Sequence, residues 1–170
     1  LEDQLKSSEN FGIDFIHVKR RMAGYQGLFV DRHLSIETYY RFLILEIFPN
    51  LSKILYLDCD TVVNEDISTL FFTDLENYSL GAVRDVDIIS LYARENTADP
   101  EVRNHIDNKL KLKNHTDYFQ AGVLLFNLKK IREKHSCEEM FQTALQEQWK
   151  FQDQDVLNSL FKNDVYFLTF

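Results

Sequence analysis

A chain of 170 residues has the length of one ordinary domain, and its 45% hydrophobic content is enough to form a single core. The formal net charge is −8 and the only basic cluster is Lys19, Arg20 and Arg21, which argues against binding of nucleic acid or other polyanions. No apolar run approaches the roughly 18 residues that could span a bilayer. Two distant cysteines suggest neither a disulfide framework nor a thiolate metal site. We therefore expect one soluble domain, residues 1–170, in a reducing cytoplasmic compartment, with peripheral membrane attachment left open.

The first third of the chain predicts the end of a helix, a strand and a second helix. Residues 1–10 are polar and typical of a helix end, whereas residues 13–18 have the apolar character of a short strand. From Ser35, a candidate N-cap, apolar residues recur at spacings of three and four until Pro49, which predicts a helix between them.

The remainder of the chain alternates short apolar runs with helical patterns. This alternation indicates an α/β domain with a mainly parallel, Rossmann-like sheet, whose ligands lie beyond the carboxyl ends of the strands. Both termini fall inside predicted elements, so we expect a domain truncated at both ends. The predicted strands are 53–57, 80–83, 122–126 and 165–170, and the predicted helices are 68–72, 128–149 and 153–160.

Two carboxylates follow the first of these strands. Asp58 and Asp60 flank Cys59, and an extended backbone would place both side chains on the same side, where they could share one cation. Carboxylate oxygens suit Mn²⁺ or Mg²⁺, which keep open positions for a diphosphate. The same pair also fits an ordinary acidic turn.

The segment LDCDTV also resembles the nucleophile motif of haloacid-dehalogenase-type phosphatases. In that hypothesis the first aspartate attacks phosphorus and the second acts as acid and base. It requires the motif to lie on the first strand of the domain, whereas a strand at 13–18 and a helix from Ser35 to Phe48 are predicted to precede it.

Four blocks in a fixed order carry a more specific resemblance. They are YYRFLILEIFPNLSKILYLDCDTVV, LGAVRD, YFQAGVLLFNLKKIRE and FQDQDVLNSLF, and they cover residues 30–165. Together they resemble glycosyltransferase family 8, which includes glycogenin and bacterial lipopolysaccharide galactosyltransferases. The resemblance implies a GT-A fold, a hexose donor linked to a nucleotide, usually uridine diphosphate (UDP), dependence on Mn²⁺ and retention of anomeric configuration.

The resemblance also implies roles for individual residues. The aspartate pair would hold Mn²⁺ against the donor diphosphate, Arg41 would contact the donor, and Asp85 would lie near the donor sugar. Without the resemblance, Arg41 would be an exposed helical arginine paired with Glu37 or Glu46, and Asp85 would be a helix cap.

Asp153 and Gln154 match the Asp-Gln pair that the family carries at the start of a helix. Gln154 would lie beneath the anomeric carbon, where its carboxamide oxygen would stabilise an oxocarbenium-like centre during attack from the leaving-group face. Double displacement through another carboxylate stays open. Taken alone, Asp153 would be a helix cap and Gln154 a solvated residue of the first turn.

Two further positions are implied to lie near the donor. His33 falls where similar proteins place a donor-side histidine, and Gln120 replaces the family's usual asparagine, which leaves the identity of the transferred sugar open. The remaining histidines are expected to be surface or packing residues: His17, His105, His115 and His135.

Parts of the family's donor site are expected outside this chain, namely the strand that holds the nucleotide base and a downstream histidine ligand to the metal. We therefore expect residues 1–170 alone to bind nucleotide sugar weakly and to show little or no turnover. The acceptor, whether a glycan, lipopolysaccharide or protein, stays open. A non-catalytic nucleotide-sugar-binding domain is a third hypothesis, beside the transferase and the phosphatase.

Overall fold

A computed structural model describes residues 11–31, 35–94 and 99–169, and shows a mixed α/β fold. Within these residues the strands are β1 (Lys53–Leu57), β2 (Leu80–Arg84), β3 (Phe119–Asn127) and β4 (Val165–Phe167). The α-helices are α1 (Lys19–Met22), α2 (Ile44–Ile47), α3 (Ser68–Phe71), α4 (Val86–Ala93), α5 (Pro100–Asn104), α6 (Leu128–Lys134), α7 (Cys137–Gln146) and α8 (Gln152–Leu160). Other helical segments are the 3₁₀ helices Ile36–Leu43 and His115–Asp117 and the π-helix His105–Leu110.

The strands form one sheet in the order β1-β3-β2-β4. Strand β3 runs antiparallel to both β1 and β2, and only the β2–β4 pair is parallel. The prediction of an α/β fold is confirmed, but the prediction of a mainly parallel sheet is wrong for the described strands. A short apolar run has the same pattern in either direction, so strand direction depends on the connections and not on the run itself.

The antiparallel direction of β3 decides which residues meet at one edge of the sheet. Leu57 pairs with Val123, and Arg84 pairs with Phe119. The carboxyl ends of β1 and β2 therefore lie beside the amino end of β3. Residues that follow β1 and β2 can consequently contact the first residues of β3.

Several local expectations need correction. Residues 13–18 do not form a strand, and Phe15 and Ile16 remain exposed, because no described strand pairs with this segment. The haloacid-dehalogenase hypothesis is therefore not weakened by a preceding strand there.

The predicted helix 128–149 is two helices, because the side chain of Ser136 accepts a hydrogen bond from the Glu139 N–H and so starts α7 anew. The expectation for residues 1–10 lies outside the described residues.

The segment after Ser35 is helical, as predicted, but it begins as the 3₁₀ helix and continues into α2. Ser35 lies at the N-cap position without a capping hydrogen bond from its side chain. This helix packs against α7 and α8, and the ring centroids of Phe42 and Phe141 lie 5.4 Å apart in an edge-to-face contact. Because α8 also packs on β3, the 3₁₀ helix and α8 flank the same end of the sheet.

None of the helices in the described part of the chain is long and apolar enough to cross a membrane.

Candidate active site

A cavity of about 210 Å³ lies where the end of β1, the start of β3 and the first turn of α8 meet. The elements on either side bring together residues that are more than 100 positions apart in the sequence. Five of the eight residues that line the cavity have polar side chains: Thr38, Arg41, Asp58, Asp153 and Gln154.

Arg41 is the cation among these five polar residues, and it is only 8% exposed. Its Nη2 donates to Asp58 Oδ1 at 2.9 Å, and its Nε lies 2.9 Å from Asp153 Oδ2. The same Nε donates to the carbonyl of Thr38 at 3.1 Å, and Nη1 donates to the carbonyl of Ala121. Arg41 therefore links the 3₁₀ helix to the turn after β1, to β3 and to α8.

The alternative of an exposed arginine paired with Glu37 or Glu46 is wrong. Glu46 instead forms an exposed ion pair with Arg21, with Nη1 and Oε2 3.3 Å apart. Helical spacing alone cannot distinguish these outcomes, because it shows which residues share a helix and not which neighbour the helix packs against.

Tyr56 completes the surroundings of Arg41 and was not singled out from the sequence. The Arg41 Cζ lies 4.5 Å from the centroid of the Tyr56 ring, and the Tyr56 hydroxyl donates to Asp58 Oδ1 at 2.6 Å. The available signal was its place two residues before Asp58, since alternate residues of a strand share a face.

Asp58 and Asp60 lie in a turn and not on an extended backbone. The carbonyl of Asp58 accepts from the Thr61 N–H at 3.1 Å, and the Asp58 N–H donates to the carbonyl of Gly122 at 2.9 Å. Asp60 is exposed and makes no hydrogen bond or ion pair with any described residue. The assumption of an extended Asp-x-Asp is therefore wrong, because a turn, and not a pleat, sets the directions of the two side chains.

Oxygen atoms of this turn are the donors that could bind a cation. Asp58 Oδ1 is occupied by Arg41 and Tyr56, whereas its Oδ2 makes no hydrogen bond to a described residue and lies close to Gly122. No group of three or more His, Cys, Asp or Glu side chains that could hold a metal ion occurs in ranges 11–31, 35–94 and 99–169. The described chain thus offers at most the carboxylates of Asp58 and Asp60, which are hard donors of the kind that Mn²⁺ and Mg²⁺ accept.

Asp153 is 4% exposed, and its environment shifts the pKa of its carboxyl. Burial raises its pKa to about 6, although the charge of Arg41 and a hydrogen bond from the Thr38 hydroxyl act in the opposite direction. Its carboxylate contacts these two side chains, so an ordinary exposed helix cap does not describe its environment.

Gln154 has both ends of its carboxamide engaged. Its Oε1 accepts from the Ala121 N–H at 2.9 Å, while its Nε2 donates to Asp85 Oδ2 at 2.9 Å and to the Tyr118 hydroxyl at 3.1 Å. The alternative of a solvated first-turn glutamine is wrong. Asp85 both caps a helix and contacts Gln154. Its Oδ1 accepts hydrogen bonds from two N–H groups at the start of α4, while its Oδ2 accepts from Gln154.

A buried hydrogen-bonded group behind Gln154 was missed by the sequence analysis. Asp155 is fully buried; its Oδ1 accepts from the Tyr118 hydroxyl at 2.9 Å and its Oδ2 lies 2.7 Å from His105 Nε2. Burial, followed by the charge of Asp155, raises the pKa of Tyr118 well above its usual value, so the hydroxyl keeps its proton. His105 is therefore a buried partner of Asp155 and not a surface histidine.

The start of β3 is fixed from two sides. Gln120 Oε1 accepts from the Gly122 N–H at 2.5 Å, so its amide oxygen serves its own strand. Asn158 is fully buried and both accepts from the N–H of Phe119 and donates to its carbonyl. A Cβ at position 122 would lie 2.9 Å from both Asp58 Oδ2 and Gln120 Oε1, which explains why glycine occupies it. The predicted donor-side residue His33 lies outside the described residues.

Comparison with known proteins shows which family the chain belongs to. Residues 4–170 match the family model of glycosyl transferase family 8. The chain is 33% identical over 144 residues to a Haemophilus influenzae protein assigned as a glycosyltransferase, covering 80% of this chain and 38% of that protein. It is 31% identical over 120 residues to lipopolysaccharide 1,2-glucosyltransferase of Escherichia coli, covering 69% of this chain and 32% of that protein. The chain thus spans about a third of the length of these curated relatives.

Solved structures agree with this assignment. The galactosyltransferase LgtC in complex with donor and acceptor sugar analogues gives a TM-score of 0.65 at 35% identity, over 87% of this chain and 49% of that one. The bifunctional glycosyltransferase WbbM in its apo form gives a TM-score of 0.70 at 29% identity, over 83% of this chain and 26% of that one. The chain therefore belongs to glycosyl transferase family 8 and has the GT-A type of α/β fold.

Proposed function

We propose that the protein is a retaining hexosyltransferase that uses a UDP-linked sugar and a divalent cation, Mn²⁺ or Mg²⁺. The observation that carries the proposal is the buried Arg41, which ties Asp58 at the end of β1 to Asp153 at the start of α8. This contact fixes the position of the aspartate turn relative to Gln154. A rigid arrangement of this kind is what positions a donor for group transfer.

The oxygens of the aspartate turn fit a cation in kind and in accessibility. Asp58 Oδ2 and the exposed carboxylate of Asp60 would hold it, with further ligands from the donor diphosphate and from residues outside the described chain. When bound, such an ion neutralises the charge that develops on the departing nucleotide. Arg41 orients Asp58, because it pairs with Oδ1 and leaves Oδ2 for this role.

Gln154 is the residue proposed to face the reacting carbon. A carboxamide oxygen has two lone pairs, and Oε1 uses one of them for the Ala121 N–H. The second remains for the positive charge that develops at the anomeric carbon. Since both N–H bonds of Nε2 are held by Asp85 and Tyr118, the amide cannot present its nitrogen instead. This orientation supports attack by the acceptor from the leaving-group face.

One alternative mechanism and two alternative functions can be distinguished from this proposal by direct measurement. A double displacement would leave a sugar bound to a carboxylate, which mass spectrometry of the denatured protein after reaction with donor alone would detect. A phosphatase would hydrolyse a generic phosphate ester with Mg²⁺, and a binding domain would bind donor without releasing sugar. The comparisons support neither of these two alternatives to a transferase.

The decisive experiment assays the full-length protein with a series of UDP-hexoses and Mn²⁺. Neutralisation of both turn carboxylates, in Asp58→Asn with Asp60→Asn, is expected to abolish transfer. Asp14→Asn is the matched control, because Asp14 is exposed and does not line the cavity. It is expected to keep full activity. Transfer that survives the double substitution, or that needs no divalent cation, would refute the proposal.

A further inference from the structure

A second and larger cavity, of about 390 Å³, lies beside strands β2 and β4, of which β4 is the edge strand of the sheet. Its volume falls within the range of about 300–1,000 Å³ that is typical of small-molecule sites. It shares no lining residue with the candidate active site. We call it the basic pocket; its charged lining residues are Arg84, Lys111, Lys113, Lys162 and Asp117.

The basic pocket concentrates positive charge in an acidic chain. Four cations and one carboxylate line it, although the whole chain has a formal net charge of −8. None of these four cations forms an ion pair with a residue in the described ranges. Each Lys or Arg therefore keeps its hydrogen-bond donors available to an anion in the cavity.

The sequence hides this cluster because the four cations come from three separate regions. Arg84 ends β2, Lys111 and Lys113 lie in the loop after the π-helix, and Lys162 lies in the turn after α8. Lys111 has a left-handed backbone with φ of 53°, which ends the π-helix and turns the following loop. The folded chain thus produces a local positive potential that neither the net charge nor any basic run predicts.

Two aromatic rings, together with Leu112 and Val165, form the apolar part of the same cavity. The guanidinium of Arg84 stacks on Phe167, with Cζ 3.8 Å from the ring centroid. Stacking holds the guanidinium in place and leaves its N–H groups free at the edge, where they can bind phosphate oxygens. Tyr78 contributes a second ring, and this residue is 37% exposed. A site that joins cations to aromatic faces suits a ligand with an anionic group on an apolar-faced ring.

The basic pocket is adjacent to the candidate active site in the backbone. Arg84 immediately precedes Asp85, which accepts from Gln154, and Asp117 immediately precedes Tyr118, which accepts from the same glutamine. Successive residues of an extended chain point to opposite sides, so the Arg84 side chain lines the basic pocket whereas that of Asp85 contacts Gln154. A ligand in the basic pocket would therefore lie near the reacting centre without occupying it.

We propose that the basic pocket binds the phosphate group of a phosphorylated saccharide. The cations would bind the phosphate and the rings of Phe167 and Tyr78 would pack against the sugar. The phosphate-binding half of this proposal rests on the pocket alone, whereas the saccharide half rests on the proposed function.

The test is a binding titration of the protein without donor or divalent cation. A hexose 6-phosphate, the unphosphorylated hexose and inorganic phosphate are compared by calorimetry, and the binding site is located by amide chemical shifts. We expect the hexose phosphate to bind most tightly and to shift the amides of Lys111 and Asn163, but not that of Gly122. Binding should weaken as salt rises, because the contacts are electrostatic.

Lys162→Gln is expected to weaken binding of the hexose phosphate about ten-fold, which is the typical loss of one charge-assisted contact. Lys129→Gln changes an exposed lysine on α6, outside this cavity, and is the matched control with unchanged affinity. Both lysines are exposed, so neither change is expected to alter the melting temperature.

Equal losses in the two variants, shifts centred on Gly122, or no binding of any phosphate would overturn the proposal. Equal affinity for inorganic phosphate and hexose phosphate would overturn its saccharide half. Because this titration requires no transfer, its failure leaves the hexosyltransferase proposal intact, and absence of transfer leaves the titration interpretable.

Discussion

Replacement of Arg41 by methionine removes the cation that holds two carboxylates, and its effect can be estimated from burial. The Asp58 side chain is 36% exposed and can regain water, whereas the Asp153 side chain is 5% exposed and cannot. The decrease in the free energy of unfolding is therefore dominated by the unpaired carboxylate of Asp153. Removal of one partner from a buried ion pair costs about 3–5 kcal/mol. For a chain of this size that corresponds to a fall in melting temperature of about 6–20 °C.

The pH dependence of this loss has a defined sign. A carboxyl whose pKa is raised in the folded state destabilises the fold progressively as pH rises from its unfolded pKa through its folded pKa. Asp153 already has a folded pKa of about 6 with Arg41 present, and removal of Arg41 would raise it further. The deficit of Arg41→Met should therefore be small at pH 5.5, where Asp153 is protonated in the variant, and larger at pH 8.

Thermal and urea unfolding at both pH values measure these differences. Arg21→Met is the matched control, because Arg21 pairs with Glu46 at the surface, where such pairs contribute about 0–1 kcal/mol. Asp153→Asn added to Arg41→Met should recover part of the loss, since it removes the unpaired charge. A deficit no larger than that of Arg21→Met, or one that shrinks as pH rises, would refute the assignment of a buried charge cluster.

Three further substitutions test single contacts of the candidate active site. Gln154→Ala is expected to lower kcat for transfer about 10²–10³-fold with little change in donor KM, if its oxygen stabilises charge only in the transition state; a pure KM effect would contradict this. Gly122→Ala should displace the aspartate turn and lower the rate of sugar transfer about 10²-fold. Gly24→Ala is the control and should leave this rate unchanged, because its Cβ would meet no atom closer than 3.9 Å. Asn158→Leu should lower the free energy of unfolding by about 1–3 kcal/mol for each backbone group left without a partner, and Asn108→Leu, an exposed control, should change it little in urea titrations.

The local features of the chain were predictable because they depend on neighbours in the sequence. The apolar runs before Asp58 and Asp85 were correctly assigned to strands, and the helix that begins near Asp153 was correctly placed. The four-block resemblance identified the family, which the comparison with known proteins confirmed. The roles of the individual site residues remain predictions.

The environment of each site residue was not predictable, because burial and partner choice depend on residues distant in sequence. Arg41 contacts Ala121, 80 positions away, and His105 pairs with Asp155, 50 positions away. No periodic pattern around either residue indicates such a partner. The same limit applies to the four cations of the basic pocket, which appear in the sequence as scattered surface charges.

The sequence by itself determined which segments are apolar enough to be buried and which carboxylates and amides follow them, since both are local properties. The tertiary structure alone decided that β3 runs antiparallel between β1 and β2. That direction brings the start of β3 to the ends of its neighbours and so places Gln154, Asp58 and Arg41 around one cavity. Strand direction follows from how the connections pack and close, a property of the whole chain that no single segment encodes.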